Sequence, residues 1–173
     1  MMVDMAGTPT LEPDEPPAFE AEFDRLFGRA FSVARRLTGN VAVAEDLAAE
    51  ALARTYARWG RVRTMEYREA WVARIATNLA IDAARKKKVD LEAAVTADPS
   101  DNTVLRIALV EALARLPKRQ REAVALRYLC DLSVDDVASS LGVSSGTVKT
   151  SVHRALEKLR SDLGPNALIG EEK

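Results

Sequence analysis

A chain of 173 residues has room for one ordinary domain or two small ones, and a hydrophobic content of 47% suffices for real cores. The single Cys130 excludes an internal disulfide, the lone His153 excludes a Cys/His metal cluster, and no apolar run reaches membrane-spanning length. The net charge of −1 conceals a segregation of sign along the chain.

Residues 1–18 are rich in Pro and acid, with little to bury, and are expected to be disordered. Asp4, Glu12, Asp14, Glu15, Glu20 and Glu22 all precede the first basic residue, Arg25. The segment lacks the basic-then-apolar pattern of a secretion signal, so a cytoplasmic protein is expected. A first helix is expected over Phe19–Leu37, where Phe23, Leu26, Phe27, Ala30, Phe31, Ala34 and Leu37 share one face. Gly39 supplies its stop.

In the second expected helix Val43, Leu47, Ala51, Thr55 and Trp59 recur every four residues, with Glu45, Asp46 and Glu50 forming an acidic flank, and Gly60 closes it. A loop over 61–66 leads to a third helix, from Tyr67 to about Lys88. Trp71, Ile75 and Leu79 repeat on its apolar side, broadened by Val72 and Ala76, while Arg74, Asn78, Asp82 and Arg85 form another stripe. Trp59 and Trp71 are both read as core. Between Arg54 and Lys88 ten basic residues, Lys86 among them, stand against Glu66, Glu69 and Asp82, a local net of +7. Such a block suits contact with phosphate; an ordinary solvated helix face is the plainer reading.

Residues 89–103 carry no basic side chain, four acids (Asp90, Glu92, Asp98, Asp101) and several turn formers, as expected of a linker. A second helical unit starts near Val104 with Leu105, Leu109, Ala112, Leu113 and Leu116 as its apolar face. Pro117 separates it from a helix over Lys118–Cys130. Cys130 reads as a small core residue. With no period-two alternation of β-branched residues, the whole is read as all-α, in two small helical domains joined by an acidic linker.

Residues 133–160, SVDDVASSLGVSSGTVKTSVHRALEKLR, carry the most specific signal. Ser133 and Asp136 have capping-box spacing, and Val134, Val137, Ala138 and Leu141 face inward. Gly142 stands where a tight turn needs positive φ, and Ser144 or Ser145 caps the next helix. That helix buries Val148, Val152, Ala155, Leu156 and Leu159 and exposes Thr147, Lys149, Thr150, His153 and Arg154. This is the arithmetic of a helix-turn-helix whose second helix enters a major groove, against a generic αα-hairpin.

With LARLPKRQREAVALRY before that motif, and AEDLAAEALARTYARW and AWVARIATNLAIDAARKKK in the first half, the chain resembles the bacterial RNA polymerase sigma factors of the extracytoplasmic-function group, over about residues 19–163. The resemblance implies region two at 19–88, a linker at 89–103, region four at 104–163 and a tail at 164–173. It implies a transcription initiation factor, not an enzyme, with no metal or cofactor, monomeric when free. Its partners would be core RNA polymerase and promoter DNA, with an anti-sigma factor as a further candidate. Glu45, Asp46, Leu47 and Glu50 would dock on polymerase, although Ala49 stands where the family usually carries Gln. Arg74, Asn78, Asp82, Arg85 and Lys86 would open and read the −10 element, with a structural hydrogen bond as the second reading of Asp82. Ser145, Thr147, Lys149, Thr150, His153 and Arg154 would read the −35 element, with Arg119 and Arg121 near phosphates. Two rival readings are a helix-turn-helix regulator acting without polymerase, and a decoy that binds polymerase or an anti-sigma partner.

Overall fold

A computed structural model describes residues 17–91 and 101–164, with side chains for 17–86 and 103–164. The expectations for the leader, the centre of the linker and the tail lie largely outside these residues. Among the described residues the chain is helical throughout: α1 (Phe19–Thr38), α2 (Val41–Tyr56), α3 (Trp59–Val62), α4 (Arg68–Leu91), α5 (Asp101–Arg115), α6 (Lys118–Tyr128), α7 (Val134–Leu141) and α8 (Ser145–Leu163).

The first unit packs α1, α2 and α4 against one another. Gly39 caps α1 in the left-handed conformation at φ 68°, its N–H bonding the Arg35 carbonyl, and the Asn40 side chain then caps α2 by accepting from the Val43 N–H at 3.0 Å. The buried face of α2 is Ala44, Ala48, Ala51, Leu52 and Thr55. It lies about one residue round from the expected series, because small alanines let the helix axes approach closely and so leave Val43 exposed and Leu47 half-buried. The face of α4 shifts likewise: Val72, Ala73, Ala76, Thr77, Ala80 and Ile81 are buried, while Trp71, Ile75 and Leu79 sit at its margin.

Three other expectations are corrected. Phe23 is 44% exposed and belongs to a row of stacked rings, Phe23–Phe27–Phe31, along the edge of α1 rather than its core face. Gly60 does not close α2, which ends at Tyr56; it lies inside the short α3, where nothing crowds its missing side chain. Trp59 and Trp71 are half-buried, not core, although the indole nitrogen of each is enclosed. Trp59 packs edge-to-face on Phe19 at 5.1 Å.

An ion-pair web fixes α1 to the start of α4. Arg29 holds Glu69 through Nε and Nη2 at 3.0 and 2.8 Å, Arg25 reaches the same carboxylate at 2.9 Å, and Glu22 accepts from Arg25 and Arg68. Burial alone would raise the Glu22 carboxyl pKa, but Arg25 and Arg68 reverse this and hold it below its ordinary value. Arg68 is therefore committed to the fold, not to phosphate.

In the second unit α8 packs on α5, α6 and α7. The core comprises Val110, Leu113, Leu116, Val124, Leu126, Val137, Val148 and Leu159, while Leu105 is exposed, contrary to expectation. Pro117 is the N-cap of α6, which needs no N–H at that point. That helix ends at Tyr128, short of Cys130, and the chain then reverses through Asp131 at φ 53°, a conformation Asp tolerates better than most residues. At the linker, α4 continues to Leu91 and α5 begins at Asp101.

Candidate nucleic-acid interface

Ser133 starts α7 with a capping box: its Oγ accepts the Asp136 N–H at 3.1 Å, and the Asp136 carboxylate accepts the Ser133 N–H at 3.2 Å. The Asp136 carboxyl is held below its usual range, first by the Ser133 hydrogen bonds and next by the Tyr67 hydroxyl. Gly142 ends α7 at φ 65°, and the Val143 N–H closes back on the Ala138 carbonyl at 3.0 Å. A side chain at Gly142 would meet nothing within 4 Å, so the backbone angle demands glycine here, not the space.

Ser144, not Ser145, is the cap of α8, accepting the Thr147 N–H at 3.2 Å. Ser145 is half-buried, and its hydroxyl donates to Asp135, tying the two helices of the motif together. Thr147, Lys149, Thr150, His153 and Arg154 are all exposed along the outer side of α8, above the buried Val148, Ala155 and Leu159. Three of these groups are partly engaged: the Thr147 hydroxyl shares a hydrogen bond with the Ser144 hydroxyl at 2.9 Å, the Thr150 hydroxyl donates to the Gly146 carbonyl at 3.0 Å, and His153 lies 3.5 Å from Glu157. The face offers hydroxyls, an ammonium and a guanidinium to base edges and phosphates. Arg119 is exposed, with Nη1 donating to the Leu141 carbonyl at 3.2 Å, whereas Arg121 is half-buried with its Nε enclosed.

On α4 the expected stripe divides. Asp82, Arg85 and Lys86 are exposed, while Arg74 and Asn78 are half-buried. Arg74 lies over the Trp71 ring at 4.9 Å, with Arg61 at 5.9 Å from the same ring, a cation–π cluster. Its Nε also stands 3.9 Å from Glu122 Oε1. On α2, Glu45, Asp46 and Glu50 are exposed beside half-buried Leu47, and Glu50 pairs with Arg54 at 2.8 Å.

Sequence reasoning missed Glu122, Tyr67 and Arg61. Trp71 and Arg74 share a helix face at i, i+3, which was legible; Arg61 and Glu122 arrive from other elements and left no local signal. Arg61, Tyr67, Trp71 and Arg74, together with Met65, Glu66, Arg119 and residues 139–142, line a cleft of about 420 Å³ between the two units.

Two family models match the chain: Sigma-70 region 2 over residues 23–89 and Sigma-70, region 4 over 106–159. The RNA polymerase sigma-E factor of Streptomyces coelicolor is 34% identical over 151 residues, which cover 81% of this chain and 85% of that protein. The ECF RNA polymerase sigma factor SigW of Bacillus subtilis is 34% identical over 166 residues, covering 84% and 89%. The structure is similar to that of the sigma factor RpoE from Bartonella quintana, solved in complex with the anti-sigma factor NepR, with a TM-score of 0.51 and 25% identity over 84% of this chain and 96% of that one. No described helix is long and apolar enough to cross a membrane. A helix-turn-helix with a polar outer face, a basic helix beside an acidic one, and matches to both regions in this order lead to one assignment: the chain belongs to the ECF RNA polymerase sigma factors.

Proposed function

We propose that this chain directs core RNA polymerase to specific promoters, with region two (19–88) docking on polymerase and opening the −10 element, and region four (104–163) reading the −35 element. The observation that carries this reading is the pairing, in one chain, of an exposed polar recognition helix with a separate basic helix and an acidic docking helix. Glu45, Asp46 and Glu50 offer carboxylates beside apolar Leu47, suited to a basic helical partner. Asp82, Arg85, Lys86, Arg74 and Asn78 lie on the helix suited to melted DNA, where cations neutralise the backbone and polar and aromatic groups hold unstacked bases. Thr147, Lys149, Thr150, His153 and Arg154 read the major groove, with Arg119 and Arg121 beside phosphates.

The acidic stretch at 89–103, which carries no cation, is suited by its charge to a basic surface of polymerase rather than to DNA. The chain works by binding alone, in the cytoplasm, and by analogy with its structural neighbour it is a candidate for capture by an anti-sigma factor. The test is transcription of genomic fragments by core polymerase with and without this protein, with the RNA 5′ ends sequenced. Discrete new starts sharing two upstream motifs support the reading. Their absence with active core and folded protein sinks it.

A further inference from the structure

The chain carries four Phe, two Trp and three Tyr, and every Phe, with Tyr56 and Trp59, falls in one continuous row on the first unit. Phe19 meets the Tyr56 and Trp59 rings edge-to-face at 4.9 and 5.1 Å. Phe23, Phe27 and Phe31 continue from it, each about one helical turn on, at 6.0, 6.0 and 6.3 Å. Phe19, Phe27 and Phe31 pack partly against the core, but Phe23 and Tyr56 are 44% and 59% exposed. The opposite flank of α1 faces α4 and the second unit, through Arg25 and Arg29 on Glu69 and Arg36 on the Leu129 carbonyl.

Gly28 borders this row, beside Phe27 and one turn before Phe31. It is exposed, its φ is negative like that of its helical neighbours, and a side chain there would meet nothing within 4 Å. Neither backbone angle nor crowding calls for glycine, which weakens a helix interior relative to alanine. What a bare backbone offers at such a place is close approach for another chain. Sixteen residues precede the described ones and join the fold two residues before Phe19. They bring three prolines, three methionines, Val3 and Leu11, with no ring and no cation. Pro-rich segments favour an extended form that binds aromatic-lined surfaces at low entropic cost, and methionine sulfur suits ring edges. From Phe19 to Phe31 the row is about 18 Å long at 1.5 Å per residue. Sixteen extended residues at ~3.1 Å each reach about 50 Å, enough to reverse at Pro17 and run its length.

We propose that residues 1–16 dock along the Phe19–Phe31 row of their own chain, prolines and apolar side chains on the rings and backbone close to Gly28. Tethering so near the row gives the segment an effective concentration of millimolar order, so contacts too weak to hold a free peptide keep it in place. The attraction is apolar, not ionic. Glu20 and Asp24, both exposed, border the row, and the leader adds Asp4, Glu12, Asp14 and Glu15, which turn to water. Salt therefore screens a repulsion and tightens the contact. The docked leader hides an aromatic patch that would otherwise promote association with other proteins. This contact is independent of the function proposed above.

The test is nuclear magnetic resonance on the full isotope-labelled chain with Thr8→Cys and Cys130→Ala, carrying a nitroxide at position 8. A docked leader should broaden the amide signals of Gly28 and Phe31 more than that of Phe19, and added salt should preserve or deepen the effect. Phe23→Ser with Tyr56→Ser, both exposed in the fold, should reduce that broadening several-fold while the helical circular dichroism is retained. Leu11→Ser, Pro13→Ser and Pro16→Ser together, all outside the helical core, should do the same. Broadening that decays smoothly from Phe19 is the mark of a loose tether and overturns the contact, as does broadening that neither variant relieves. Loss of the effect in high salt would make the contact ionic and overturn its apolar basis. In a mixed sample, nitroxide-bearing chains that broaden the row of separate, nitroxide-free labelled chains would assign the row to a second copy and overturn the intramolecular assignment.

Discussion

Cys130 sits just past α6, buried at 3% exposure, and burial pushes its thiol up to about 11, against smaller opposing effects of Arg29 and Arg36. At pH 8 its thiolate is on the order of one part in a thousand, so a disulfide reagent should modify native protein far more slowly than denatured protein. Rapid labelling of the native chain would contradict that burial. Asp136 titrates in the opposite sense. Its pKa is lowered in the folded chain, so its contribution is fully present above the unfolded carboxylate value and is lost as pH falls through the lowered one. The melting temperature of Asp136→Asn should therefore differ from that of the unaltered chain at neutral pH and converge with it in acid; a gap that persists at low pH would refute the assignment. On α8, Arg154→Ala should weaken binding to the preferred −35 sequence by ~1–3 kcal/mol if the guanidinium grips a base edge. Equal loss on all sequences would reassign it to phosphate.

At the scale of the element, helices here are specified by their ends as much as by their faces. Asn40, Ser133 and Ser144 each accept an N–H of the first turn, and Gly39 and Gly142 each turn the chain left-handed at the far end. The caps of the helix-turn-helix were legible because side chain and backbone partner lie three residues apart. Buried faces were less so. On α2 and α4 the large side chains named from periodicity moved to the margin and alanines took the centre, because bulky residues at a crossing hold helix axes apart and small ones let them approach. Ile81 is the largest side chain fully buried in α4, and Ile81→Ala should cost ~2–5 kcal/mol in chemical denaturation, through lost transfer energy and the cavity left behind. A change under ~0.5 kcal/mol, the range of ordinary surface substitutions, would mean that this face is not packed as described.

For the whole molecule, charge is divided by task. Carboxylates of α2 face outward, Arg85 and Lys86 of α4 and the cations of α8 face outward elsewhere, and Glu22, Glu69, Arg25, Arg29 and Arg68 join α1 to α4. Glu45→Lys with Asp46→Lys should abolish most binding to core polymerase, read by co-elution or fluorescence titration, with the melting temperature unchanged because both side chains are exposed. Undiminished affinity would move the docking site off α2.

The sequence by itself determined the helical class, the capped helix-turn-helix, the polar outer face of α8 and the segregation of charge, since all of these are written in spacings of a few residues. Tertiary structure alone decided which arginines are free. Arg68 is committed to Glu22, and Arg74 is placed between Trp71 and a buried Glu122 that lies 48 residues further along the chain. Charge can be counted along a sequence, but a guanidinium's availability depends on the carboxylates and carbonyls that the fold brings within about 4 Å of it, and those come from elements distant in the chain.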